Sequence, residues 1–321
     1  MVKAITFENH HIEFNFLKNS FDINCSYLPI LKKPEIDVFV IIGSRVSKYI
    51  WFILKYRREV KIFIHLSDEK LRITSILFYL LLSRRSLILR HYYEDTFSFN
   101  LVKSYLLKSF SYNSFFVWVK LLPHISIGIW KSLKFYLIKI ARLNVSSLPL
   151  GYTDNFINHI NSQQITLPLN KFDITKWSDF YGVKGNINRS IAIESVDNNS
   201  INIKQNLEWG GNKDYLVSNY VNSLVNGNLS FNPPGYRSIE TYRYYESLFL
   251  GSTPVNLSMS ANSLGQDSGQ FYIHSILSWD DLTKFYECLT KTELMDLISF
   301  QNHVFNQRIL SLKEKIVRYL G

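Results

Sequence analysis

The sequence predicts an α/β fold with a doubly wound parallel sheet, and three observations carry that expectation. Short β-branched runs alternate with helix-period segments through the N-terminal half, as strands joined by crossover helices do. Those runs are apolar throughout rather than alternating, the mark of strands covered on both faces. The chain has 321 residues, 46% hydrophobic and 19% charged, which is enough for two folded domains.

The elements follow in order. Residues 35–43 form a β-branched run ending in Gly43 and read as a buried strand, with a helix over 46–56. Residues 60–65 give a second strand that runs into Ser67-Asp68-Glu69. A helix over 71–82 leads to a third strand over 86–90. Such sheets present ligands at the carboxyl ends of their strands, which puts Asp68, Glu69 and Arg90 to Tyr93 at a candidate site.

Residues 96–148 differ, with seven Lys or Arg and no Asp or Glu. Within them Ile129, Leu133, Tyr136, Leu137 and Ile140 share one helical face, and Lys131, Lys134, Lys139 and Arg142 surround it. Two readings stand: core helices with a solvated basic edge, or a segment resting on anionic lipid.

A linker is expected at 147–152, where Pro149 and Gly151 punctuate the chain, and a second α/β region follows. It begins near 187–195, continues through a polar loop with a short strand over 196–214, and enters a helix over 215–226. A strand over 229–232, a helix over 238–250 stopped by Gly251, and an extended segment over 252–257 come next. The last thirty residues keep helical periodicity. The expected domains are 1–152 and 153–321, the final helix packing back on the first.

The net charge is +10, and residues 45–142 hold 18 Lys and Arg against 5 acids. Nucleic acid, an anionic membrane and a phosphate-bearing substrate each suit that basicity, but no nucleic-acid motif accompanies it. Cys25 and Cys288 stand alone, arguing against zinc clusters and disulfide frameworks and for a reducing compartment. The eight histidines show no metal-ligand spacing. The start of the chain lacks the basic-then-apolar order of a secretion signal. Asp280-Asp281 reads as a helix cap.

Residues 229–255 carry the chemistry. They read as strand, glycine-containing loop, helix N-terminus and second strand, so free N–H groups and a positive dipole end offer an anion site. Arg243 in the first helical turn adds a charge-assisted contact to phosphate. Glu246, a turn later, suits the two hydroxyls of a ribose.

The order Pro233-x-Gly235, Thr241-x-Arg243-x-x-Glu246-Ser-Leu, Gly251-Ser-x-Pro-Val255 resembles the donor-binding signature of exostosin-like glycosyltransferases. It is closest to the ribitol xylosyltransferase-like branch and its bacterial relatives in polysaccharide assembly. Four more stretches fall in the matching order: His65-Leu-Ser-Asp-Glu69, Leu89-Arg-His-Tyr-Tyr93, Leu148-Pro-Leu-Gly-Tyr152, and Trp177-Ser-Asp-Phe-Tyr-Gly182 with Arg189 following. Asp179 is an extra residue within the last motif, His91 stands where that group has Asn, and 96–148 is longer than its counterpart.

The resemblance implies two facing Rossmann-like domains (the GT-B architecture) with a cleft between them, acceptor on the N-terminal side and donor on the C-terminal. It implies transfer, with inversion, from a nucleotide-sugar, a UDP-sugar favoured, to a surface glycan or lipid-linked glycan. Gly182, Arg189, Gly235, Thr241, Arg243 and Glu246 would bind the donor. Arg90, Tyr92 and Tyr93 lie on the acceptor side. Asp68, with Glu69, is the candidate base at the strand end. No Asp-x-Asp occurs, so cationic side chains are expected to replace a metal on the leaving diphosphate. The expected location is cytoplasmic, at the membrane surface. The alternatives are another activated donor, or a non-catalytic glycan-assembly subunit of the same fold.

Overall fold

The computed structural model describes residues 2–6, 13–27, 37–42, 46–66, 73–82, 85–91, 137–138, 140–165, 177–182, 193, 196, 201–205, 213–233, 241–257, 275–276 and 288–321. Asp68, Glu69, Tyr92, Tyr93, Arg189 and Gly235, and the basic residues Lys131, Lys134 and Lys139, lie outside them. The chain is mixed α/β and divides into two compact units. An N-terminal unit comprises 2–8, 26–148 and 315–321, and a C-terminal unit comprises 9–25 and 149–314.

A six-stranded sheet in the order β2-β1-β3-β4-β5-β6 carries the N-terminal unit on five of its strands, and the division between the units falls within β2. The strands are β1 (Val2–Thr6), β2 (Ile23–Tyr27), β3 (Val38–Ile42), β4 (Ile62–Leu66), β5 (Leu87–Arg90) and β6 (Asn144–Ser147). The pairs β1–β3, β3–β4, β4–β5 and β5–β6 are parallel. β4 and β5 are buried along their whole length, which accounts for their unbroken apolar runs. A short 3₁₀ turn (Val46–Tyr49) leads into helix α2 (Ile50–Tyr56), and helix α3 (Ile73–Leu81) joins β4 to β5. Phe39, Phe63 and Ile88 from the strands pack with Phe52, Ile53, Tyr56, Ile76 and Tyr79 from these helices in one core. The Phe39 ring meets those of Phe52 at 4.7 Å and Phe63 at 5.5 Å.

In the C-terminal unit, β9 (Leu229–Phe231), β10 (Thr253–Leu257) and β11 (Ser275–Ile276) form a parallel sheet in the order β11-β10-β9. A parallel pair, β7 (Phe180–Gly182) and β8 (Ile203–Gln205), stands beside it through a bridge from Trp177 to Leu229. Its helices are α1 (Phe14–Phe21), α4 (Asp154–Ser162), α5 (Lys213–Asn226), α6 (Tyr242–Phe249) between β9 and β10, and most of α7 (Lys291–Leu320). Among the described residues no helix is long and apolar enough to cross a membrane.

The sequence reading places its first element at 35–43, yet the first 27 residues already hold β1, α1 and β2. The reason is a cap supplied from far away. The Asp154 carboxylate accepts from the N–H groups of Phe14 at 3.2 Å and Asn15 at 2.7 Å, while Glu13 at the N-cap makes no side-chain cap bond. Helix α1 ends at Asp22 in the left-handed region, and Lys313 pairs with that carboxylate at 2.7 Å and lowers its pKa.

The C-terminal unit resumes at Pro149-Leu-Gly-Tyr152. Gly151 has φ +67°, and an added Cβ would land on the ring of Phe16, which is fully buried. Gly151→Ala therefore combines a left-handed backbone with overpacking, each costing on the order of 1–3 kcal/mol. Urea unfolding is expected to show at least ~2 kcal/mol lost; stability within ~0.5 kcal/mol of the parent would contradict this packing.

Candidate functional site

Helix α6 follows β9, and its first turn holds the candidate donor residues. Thr241 is the N-cap in extended conformation, but its hydroxyl does not cap the helix. It donates instead to Oδ1 of Asn232, buried just after β9, at 2.5 Å. Ser247 on the same helix donates to Ser230 of β9 at 2.9 Å, so α6 is fastened to its strand at both ends.

Arg243 lies two residues into α6. Its Nη2 donates to the carbonyl of Tyr181 in β7, and its guanidinium sits 4.3 Å over the Phe180 ring and 5.7 Å from that of Tyr220. Its Nε is buried and meets no acceptor among the described residues. Cationic charge, a helix N-terminus and an unused donor make this position receptive to an anion. Gly182 closes β7 one residue beyond the Tyr181 carbonyl.

Glu246 is not the surface residue that a helix position after the first turn implies; it is 5% exposed. Its Oε1 accepts from the Thr153 hydroxyl at 2.8 Å and the Thr153 N–H at 3.3 Å, and its Oε2 accepts from Tyr220 at 3.0 Å. Thr153 is the N-cap of α4. One carboxylate thus ties together the start of α4 and the middles of α5 and α6. Burial raises the Glu246 pKa, opposed by the bonds from Thr153 and Tyr220 and by the charge of Arg243. Burial also pushes the Tyr220 phenol well up, aided by the Glu246 charge, so Tyr220 stays a donor.

Three stretches that the sequence singled out therefore meet in the C-terminal unit: Pro149 to Tyr152 with the adjoining Thr153, Trp177 to Gly182, and Thr241 to Glu246. The ring of Tyr152 packs edge-on to Phe249 at 5.0 Å, while Tyr181 and Thr153 contact Arg243 and Glu246 directly. The sequence reading missed Thr153, Tyr220 and Asp154. Thr153-Asp154 ahead of an apolar-periodic run is a helix-start signal, but nothing local announces its distant partners.

In the N-terminal unit, Arg90 ends β5 at 0% exposure. Its Nη1 donates to His65 Nδ1 at 2.9 Å and to the Tyr79 hydroxyl at 3.2 Å; His65 and Tyr79 are 2.5 Å apart. Accepting at Nδ1 leaves the His65 ring proton on Nε2. Burial raises the Tyr79 pKa against the influence of Arg90. The stretches at His65 and at Leu89–Arg90 thus meet at the carboxyl ends of adjacent strands, with the Arg90 guanidinium turned to the interior.

Among the described residues, no three His, Cys, Asp or Glu side chains gather as a metal site would require. No protein-family model matches the chain, and no curated protein matches it.

Glu246 gives a pH signature. A carboxyl whose folded pKa lies above its ordinary 4.5 contributes stability that is full below that value and is lost as pH rises through the folded pKa. The parent is expected to lose stability over that window relative to Glu246→Gln, in urea titrations run from about pH 4 to 8. Parallel pH profiles for the two would contradict a raised Glu246 pKa.

Proposed function

We propose that the chain is a glycosyltransferase that moves a sugar from a nucleotide-sugar, a UDP-sugar favoured, to a hydroxyl of a surface glycan at the cytoplasmic face of a membrane. The observation that supports it is that the donor-signature helix, through Arg243 and Glu246, meets Tyr181 of the Trp177–Gly182 stretch and Thr153 next to the Pro149–Tyr152 stretch. In this reading the two units are the two Rossmann-like domains of the GT-B architecture, the C-terminal one taking the donor and the N-terminal one the acceptor.

Catalysis of sugar transfer needs the leaving diphosphate stabilised and the acceptor hydroxyl deprotonated. Arg243 and the N-terminus of α6 take the diphosphate, and Arg189 and the Gly235 loop add to them. Preorganised cation and N–H donors stabilise charge as the anomeric C–O bond breaks, without a metal. Asp68, or Glu69 beside it, accepts the acceptor's proton as its oxygen attacks, giving inversion. Arg90, Tyr92 and Tyr93 belong to the acceptor side. A carboxylate has about four acceptor positions. Thr153 and Tyr220 fill three at Glu246, leaving it one bond to a ribose hydroxyl rather than two.

Purified chain incubated with a panel of nucleotide-sugars and excess chelator tests the proposal. Donor turnover is expected to persist in chelator, to fall about 10²–10³-fold in Arg243→Ala and about 10²–10⁴-fold in Asp68→Asn. No turnover and no nucleotide-induced rise in melting temperature would overturn the proposal. Turnover lost in chelator and restored by manganese would overturn its metal independence.

A further inference from the structure

The crossovers β3–α2–β4, β4–α3–β5 and β5–β6 step in one direction between parallel neighbours. Right-handed crossovers then put their helices on the same face of the sheet. The shared core agrees: Phe52, Ile53, Ile76, Tyr79 and Ile138 of the crossovers pack in one cluster with Phe39 and Phe63. The outer side of this layer is unusually apolar. Trp51 is 83% exposed and Ile140 60%, and Leu54, Leu77 and Leu80 are exposed with them.

Charge borders these apolar residues on one side. Lys55, Arg57 and Arg58 lie at the end of α2, Arg85 follows α3, and Arg142 precedes β6, all exposed. These are the places where crossovers end and strands begin, so the bases share one edge of the layer. Two acids, Glu59 and Asp37, stand at that edge, where Lys61 pairs with Asp37 at 3.6 Å and donates to the Leu320 carbonyl at the end of α7 at 2.7 Å. Protruding Trp and Leu next to Lys and Arg match a bilayer interface, where indole and aliphatic groups enter the headgroup boundary and bases meet anionic lipid.

We propose that this helix layer docks the chain onto an anionic membrane, Trp51, Leu54, Leu77, Leu80 and Ile140 entering the interface and Lys55, Arg57, Arg58, Arg85 and Arg142 contacting headgroups. This rests on the reading of the chain as one that works at a membrane, and it adds α2 and α3 to the segment 96–148, to which Ile140 and Arg142 belong. The sheet's carboxyl edge, with His65 and Arg90, lies at the opposite end from these bases.

Flotation of the full chain with phosphatidylcholine vesicles, with and without phosphatidylglycerol, tests it. The parent is expected to float with the anionic vesicles at low salt and to be released as salt rises. A basic residue at an anionic leaflet is worth roughly fivefold in partitioning, so Lys55→Gln, Arg58→Gln and Arg142→Gln together are expected to weaken it about a hundredfold. Trp51→Ser with Leu77→Ser is expected to weaken it at least about tenfold, with unchanged melting temperature because both sites are exposed. Trp51→Phe is expected to keep binding and to lose the part of the brominated-lipid quenching that Trp51 contributes among the chain's six tryptophans. A parent that ignores anionic vesicles would overturn membrane docking altogether. A parent that floats while both sets of variants float equally well would overturn this face alone. Self-association removed by Trp51→Ser, without vesicle binding, would make the layer a protein interface instead.

Discussion

A carboxylate taken out of water must find donors, and the Glu246 carboxylate organises the C-terminal unit by finding them on two other elements. Thr153 supplies two donors from the start of α4 and Tyr220 a third from α5. Leaving any of these groups unmet is costlier than bonding them is favourable, so the three helices hold one arrangement. The next residue, Asp154, extends the order by capping α1. Arg243, one turn before Glu246, is held against Phe180 and the Tyr181 carbonyl by the same placement of α6.

The N-terminal unit solves a similar problem with a cation. Arg90 is surrounded by buried side chains, and His65 at the end of β4 and Tyr79 on α3 offer it acceptors. One polar cluster lies at the carboxyl ends of parallel strands and the other at a helix N-terminus, and in both the charged side chain is held by packing and hydrogen bonds. Such preorganisation is what a site needs to act on developing charge without rearranging.

The strands β3, β4 and β5 were legible because burial on both faces writes an apolar run into the sequence. The helix α6 and the strands beside it were legible from Pro, Gly and helical spacing. The opening β1, α1 and β2 were not, because the cap of α1 comes from Asp154, 139 and 140 residues away. At the candidate site, Arg243 and Glu246 stood out by their place in a helix that follows a glycine-containing loop and by the motif that carries the family resemblance. The burial of Glu246 did not, since its partners lie 93 and 26 residues distant and no local pattern distinguishes a carboxylate facing a neighbour from one facing water. Arg90 was read as reaching toward a ligand for the same reason: its position at a strand end was visible, but the His65 and Tyr79 acceptors behind it were not.

A donor site centred on Arg243 has a spatial signature that no single substitution reports. Hydrogen exchange of the full chain with and without UDP reads it directly. Expected is joint slowing at the first turn of α6, at Phe180 to Gly182 and at Gly151 to Asp154, because those segments meet at one place. Nucleotide-dependent slowing confined to other segments, with these three unchanged, would contradict a donor site there.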